Sequence, residues 1–229
     1  MTWWLVSFGR CGPARYLSHL DTARVVQRMF ARADIPLALS QGMRPKPRLS
    51  LPLPLPVGAS GTDELAVVEV AANAPSADEA LPALGAAAPA GVEPLRIAVC
   101  GDQHRRPQAV SADYICTVDG DAGAIVAAVE RYGREDHAIW ERVSPKGRRR
   151  LDLKEYVIAA RAESIFCGAS LGFTVAYRAD GAARPQEFVG LIAQWARVDP
   201  SMRGLERRRI VWRNVPPAYV GGERRSVLS

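Results

Sequence analysis

Sulfur and imidazole ligands are scarce in this 229-residue chain, which carries four cysteines and three histidines. Cys11, Cys100, Cys116 and Cys167 include no pair at the close spacing that zinc ribbons, redox dithiols or iron–sulfur clusters require, so reduced and mostly buried thiols are expected. His19, His104 and His137 are equally dispersed, and neither a metal nor another cofactor is expected. Long apolar runs are missing too. Leu81 to Ala90 and Leu151 to Ala160 are broken by proline, glycine or charge and fall short of the roughly 20 residues that span a bilayer. The first residues, Met1 to Phe8, show no basic leader and alternate like a strand, so a cytoplasmic protein without a signal peptide or membrane span is expected. No glycine-rich phosphate loop opens a helix, and neither a GxSxG elbow nor a paired-histidine motif occurs. These absences argue against the common self-sufficient enzyme classes.

What the chain does have is core material and arginine. At 48% hydrophobic residues it can bury one large core or two of about a hundred residues each. Its net charge of +6 suits an anionic partner, and the distribution says more than the total. Basic residues gather in Arg44-Pro45-Lys46-Pro47-Arg48, in Lys146-Gly147-Arg148-Arg149-Arg150, in Arg203 to Arg213 and at Arg224-Arg225.

Period and punctuation predict the elements. A strand over residues 3–8 is followed, after Gly12-Pro13, by a helix over 18–33 with Leu20, Ala23, Val26, Phe30 and Ala33 on its buried stripe. Asp34-Ile35-Pro36 ends that helix and residues 37–40 start a second strand. Five prolines between Gln41 and Pro56 deny regular ladder bonds and predict an exposed extended loop or an edge strand. A strand over 64–70, an alanine-rich helix over 76–88 capped by Ser76 and a strand over 92–100 close a βαββαβ order. The second half repeats it with additions. Strands are read at 114–118 and 138–143, a turn at 144–150, a strand pair within 162–177 bending at Gly168 and Gly172, and a last strand at 207–213; helices are read at 122–132 and 185–197. The expected class is α+β, with two ferredoxin-like (split βαβ) domains in tandem, antiparallel sheets and helices on one face. The expected boundaries are 1–100, a linker at 101–112, 113–214 and a tail at 215–229.

Ser18 and Asp21 fit a capping box variant, a structural role. His19 follows the cap, where open amides could receive a phosphate, so it reads either as an anion-site residue or as a structural one. Arg44, Lys46 and Arg48 sit on a segment that prolines stiffen, which lets three cations meet phosphates at little entropic cost. Lys146, Arg148, Arg149 and Arg150 look like a basic turn able to reach a nucleic-acid backbone.

The run from Gly12 through Arg15-Tyr16-Leu17-Ser18-His19-Leu20-Asp21, with Arg24, Arg28, Pro36, Ser40-Gln41-Gly42-Met43 and Pro45-Lys46-Pro47-Arg48-Leu49-Ser50, resembles a radical-SAM-linked family of unknown function. Its members stand alone or form the C-terminal part of B12-binding radical SAM proteins. Met43 and Lys46 replace that family's usual phenylalanine and histidine. The resemblance adds Arg15 to the candidate binding residues and implies a radical SAM protein as partner. Because this chain has no CxxxCxxC, the cluster chemistry would sit on that partner. The expected function is therefore an accessory protein that binds structured RNA, a radical SAM enzyme or both, and is not an enzyme on its own. Two alternatives stay open: a metal-independent RNA-processing nuclease using His19, and a pure protein-interaction subunit.

Overall fold

The structure, a computed structural model, describes residues 2–101, 106–145, 147–216 and 219. The fold class is mixed α+β with antiparallel pairing. Two compact units divide the chain: one takes in the described residues up to Ala109 and those from Trp212 onward, the other Val110–Val211.

In the first unit, β1 (Thr2–Arg10) carries apolar residues at successive positions, because both of its faces are covered. Trp4, Val6 and Phe8 face one core with α1 (His19–Arg32) and α2 (Ala77–Ala87). Leu5 faces a second cluster with Leu65, Val67, Ala98, Cys100 and Tyr219. β1 pairs antiparallel with both β3 (Ser60–Val70) and β4 (Val92–Cys100), and β2 (Leu49–Ser50) pairs antiparallel with β3. The order is β4-β1-β3-β2. Trp212 and Val215 pack beside Tyr219 in that second cluster, within the stretch where the sequence reading begins a tail at 215.

Two readings of this unit need correction. Leu20, expected on the buried stripe of α1, is 67% exposed. It shares a row with Arg24 and Arg28 at spacings of four, which is the solvent face, while Thr22, Val26, Met29 and Phe30 turn inward. Residues 37–40 form no strand. Leu37 and Leu39 make single bridges, to Val70 and Pro47; on the Leu39 side the partner segment holds Pro45 and Pro47, which have no amide to extend a ladder.

In the second unit β5 (Gln108–Asp119), β8 (Val157–Ile165), β9 (Gly168–Ala176) and β10 (Met202–Arg213) form a sheet in the order β10-β5-β9-β8. Leu171, Phe173 and Val175 are fully buried on β9, and Gly172 lies within that strand instead of bending it. An aromatic chain holds the core: Tyr114 stacks on Phe173 at 5.6 Å, and Phe188 lies 4.9 Å from both Phe173 and Tyr132. Each such ring buried contributes about 1.5–3 kcal/mol from its area alone. Tyr132 belongs to α3 (Ala122–Arg134) and Phe188 to α4 (Pro185–Ala196). The expected turn at 144–150 is mostly strand: β6 (Ile139–Ser144) and β7 (Gly147–Asp152) form a hairpin. The alternation of Trp140 and Arg142 toward α4 fixes its register, with Trp140 against Gly190 and Arg142 on Glu187. Among the described residues no helix is long and apolar enough to cross a membrane.

Candidate nucleic-acid interface

The site in the first unit is built outward from a buried cation. Arg10, 1% exposed at the end of β1, donates to Thr22 Oγ1 at 2.7 Å and to the carbonyls of Leu17 (3.2 Å), Pro56 and Ala59 (both 3.3 Å). One guanidinium thus ties the start of α1 to the far end of the proline-rich segment. A buried cation persists only where such acceptors replace its water. The Gly58 amide adds a bond to the Arg15 carbonyl, 2.8 Å.

The near end of the same segment is fixed by backbone. Ser40 N donates to the Lys46 carbonyl (2.8 Å), Lys46 N to Ser40 Oγ (3.0 Å) and Arg48 N to the Ala38 carbonyl (2.8 Å). These bonds close residues 40–46 into a turn and place Lys46 and Arg48 on the wall of a cleft of about 660 Å³. Trp3, Pro47, Leu49, Pro52 and Val67 supply its apolar surface, and Arg106, Pro107 and Gln108 also line it. Arg48 Nη1 lies 2.5 Å from Oε2 of Glu69, a carboxylate 1% exposed, and the guanidinium sits 5.5 Å from the centre of the Trp3 ring. Among the described residues Lys46 and Arg106 make no ion pair. Among the described residues the cleft therefore combines two cations without an ion-pair partner, one guanidinium paired with Glu69 and an aromatic wall, a composition suited to an anionic, ring-bearing ligand.

The sequence candidates distribute unevenly over this site. Lys46 and Arg48 line the cleft; Arg44 is exposed on the turn beside it. Arg15 does not enter it: its guanidinium lies over the Tyr16 ring at 4.8 Å and donates to the Tyr16 hydroxyl at 2.6 Å. Ser18 Oγ accepts from the Asp21 amide (3.1 Å) and donates to the Asp21 carboxylate (2.7 Å), so both serve the helix start. His19 faces a separate void with Arg10, Thr22 and Glu64, whose volume of about 10 Å³ leaves room for one water and none for a nucleotide. Trp3 and Arg106 escaped sequence reasoning because nothing local in the chain marks two residues a hundred positions apart as neighbours.

In the second unit, Arg148 and Arg150 share one face of β7 and Arg149 the other, opposite Arg142. Arg148 meets Glu141 at 3.2 Å on the surface, and Arg149 and Arg150 are exposed. Lys146 lies outside the described residues, as do His104, Arg105 and the Arg224-Arg225 pair. The arginines of β10 are largely occupied. Arg203 pairs with Asp119, Arg208 with Glu206 at 3.1 Å, and Arg207 is buried against the Tyr114 hydroxyl.

The fold and cleft define an α+β protein with antiparallel sheets and a preformed cationic groove in its first unit. A family model described as "Uncharacterized protein conserved in bacteria (DUF2344)" matches residues 4–185, and the chain belongs to that family. No curated protein matches the chain. Among solved structures, a chain of the "Crystal Structure of a Cbf5-Nop10-Gar1 Complex" is similar at 10% identity with a TM-score of 0.47, over 90% of this chain and 48% of that one. The present chain thus spans about half the length of that neighbour.

Proposed function

We propose that this protein is an accessory that binds RNA through the cationic cleft of its first unit and works beside a radical SAM enzyme in RNA modification or processing. The observation that carries the reading is the cleft itself, with Lys46 and Arg106 lacking an ion-pair partner among the described residues and Arg48 over Trp3. Nucleic-acid affinity rests on such cations, and a groove that also carries an aromatic wall suits RNA better than a bare basic surface. The two units are ferredoxin-like domains in this reading, supported by the orders β4-β1-β3-β2 and β10-β5-β9-β8, which place equivalent strands alike in each. The radical SAM partner rests on the resemblance carried by Arg15 through Asp21 and on the lack of a CxxxCxxC in the chain.

The test is equilibrium binding of the purified protein to bulk transfer and ribosomal RNA across a salt series. Affinity that falls steeply with salt supports the reading. No binding even at low salt overturns it and leaves a protein-interaction subunit as the reading to pursue.

A further inference from the structure

Three cations line the cleft, but they are not equivalent. Arg48 is ion-paired with a buried carboxylate, Glu69, at 2.5 Å, and its guanidinium lies over the Trp3 ring at 5.5 Å. Its side chain is nonetheless 45% exposed, on the wall of the cleft. A guanidinium whose charge is already matched gains little from a second anion. Its flat, weakly hydrated face keeps its affinity for another π-system. Lys46 stands two residues away on the same segment, about 7 Å along the chain, and Arg106 lines the same cleft. Among the described residues neither is ion-paired with a carboxylate.

Resting on the RNA reading above, we infer that Arg48 is a stacking platform for an unpaired nucleobase, with Lys46 and Arg106 receiving the flanking backbone phosphates, so that the cleft takes single-stranded rather than duplex RNA. In a duplex the bases are stacked on one another and only phosphates and groove edges reach a protein surface; in a single strand every base offers a free face. Glu69 and Trp3 are positioning residues here: one pairs with the guanidinium charge, the other lies beneath it. The order of the stack is Trp3, Arg48, base. The cleft volume of about 660 Å³ falls in the range of small-ligand sites, the size class of a base with its sugar.

The experiment compares single-stranded oligomers that carry bases with abasic sugar-phosphate oligomers of equal length and charge, and with a duplex, on the wild-type protein and on Arg48→Lys. That substitution keeps the charge opposite Glu69 and removes the plane. The wild-type protein is expected to bind the base-bearing strand about tenfold or more tightly than either the abasic strand or the duplex. Arg48→Lys is expected to lose most of that preference while its affinity for the abasic strand changes by less than about twofold, with thermal melting reporting that it is folded. Equal wild-type affinity for base-bearing and abasic strands, or for strand and duplex, overturns the stacking inference and leaves the RNA reading standing. A folded Arg48→Lys that weakens both strands alike overturns it too. Absence of binding to all three ligands removes both. The wild-type comparison is decisive even if the variant does not fold.

Discussion

Glu187 holds Arg142 through two hydrogen bonds, 2.5 Å to Nε and 2.7 Å to Nη2, and the same carboxylate accepts from the Arg184 amide at 2.8 Å, so one residue both caps α4 and clamps the β6–β7 hairpin. The pair is largely withdrawn from water, with side chains 20% and 8% exposed. Removing one partner of such a pair strands the other charge, a cost of about 3 kcal/mol or more. Glu187→Ala is expected to lower stability by that order in a denaturant melt, and to raise amide exchange across residues 139–152 ahead of β9.

Arg10 anchors the far end of the proline-rich segment whose near end carries Lys46 and Arg48. Arg10→Met leaves the Leu17, Pro56 and Ala59 carbonyls without their donor and is expected to cost about 3–5 kcal/mol. Because the freed segment carries Lys46 and Arg48, RNA affinity should fall in the same variant under conditions where it is still folded. Circular dichroism melts and binding titrations on one sample check both effects.

His137 Nδ1 lies 2.6 Å from Asp152 Oδ2, at the foot of the hairpin, although the imidazole is 78% exposed. The hydrogen bond to Asp152, aided by its charge, raises the histidine above its ordinary value of 6.5. A raised folded-state value means that the stabilisation is complete below the ordinary value and is lost as pH rises through the raised one. Stability of the β6–β7 base should therefore decline as pH rises above the ordinary histidine value of 6.5, and His137→Gln should flatten that decline. Amide exchange of residues 138–154 at several pH values reads the effect.

The cysteines should divide by burial. Cys100 and Cys116 are buried, and desolvation pushes the Cys116 thiol up to about 12, while Cys11 and Cys167 are exposed. Brief alkylation of the native protein is expected to label Cys11 and Cys167 alone, with all four reacting after denaturation; mass spectrometry of the peptides distinguishes the outcomes.

Local signals carried much of the fold into the sequence. The bounds of β4 at Val92 and Cys100 coincide with the reading, Ser76 caps α2 as its position suggests, and the Phe173 and Val175 alternation marks a core strand. Leu20 misleads because an apolar residue on a helix reads as inward until Arg24 and Arg28 on the same row are weighed against it. The cleft was half legible: Lys46 and Arg48 stand out as cations among prolines. Trp3, Glu69 and Arg106 join them only through the β1–β3 register and the course of the chain after β4, which no local pattern specifies. The same is true of Arg10, whose partners lie between 7 and 49 residues away.

The most direct measurement is the salt dependence of RNA binding for the wild-type protein, a Lys46→Gln/Arg106→Gln variant and an Arg148→Gln/Arg149→Gln/Arg150→Gln variant. If the cleft holds RNA, the first variant should flatten the slope of log affinity against log salt by about 1.4, two phosphate contacts' worth for a single strand. It should do so with melting unchanged. A slope identical to that of the wild-type protein would contradict a cleft-bound RNA, and flattening confined to the triple variant would move the binding surface to the hairpin of the second unit.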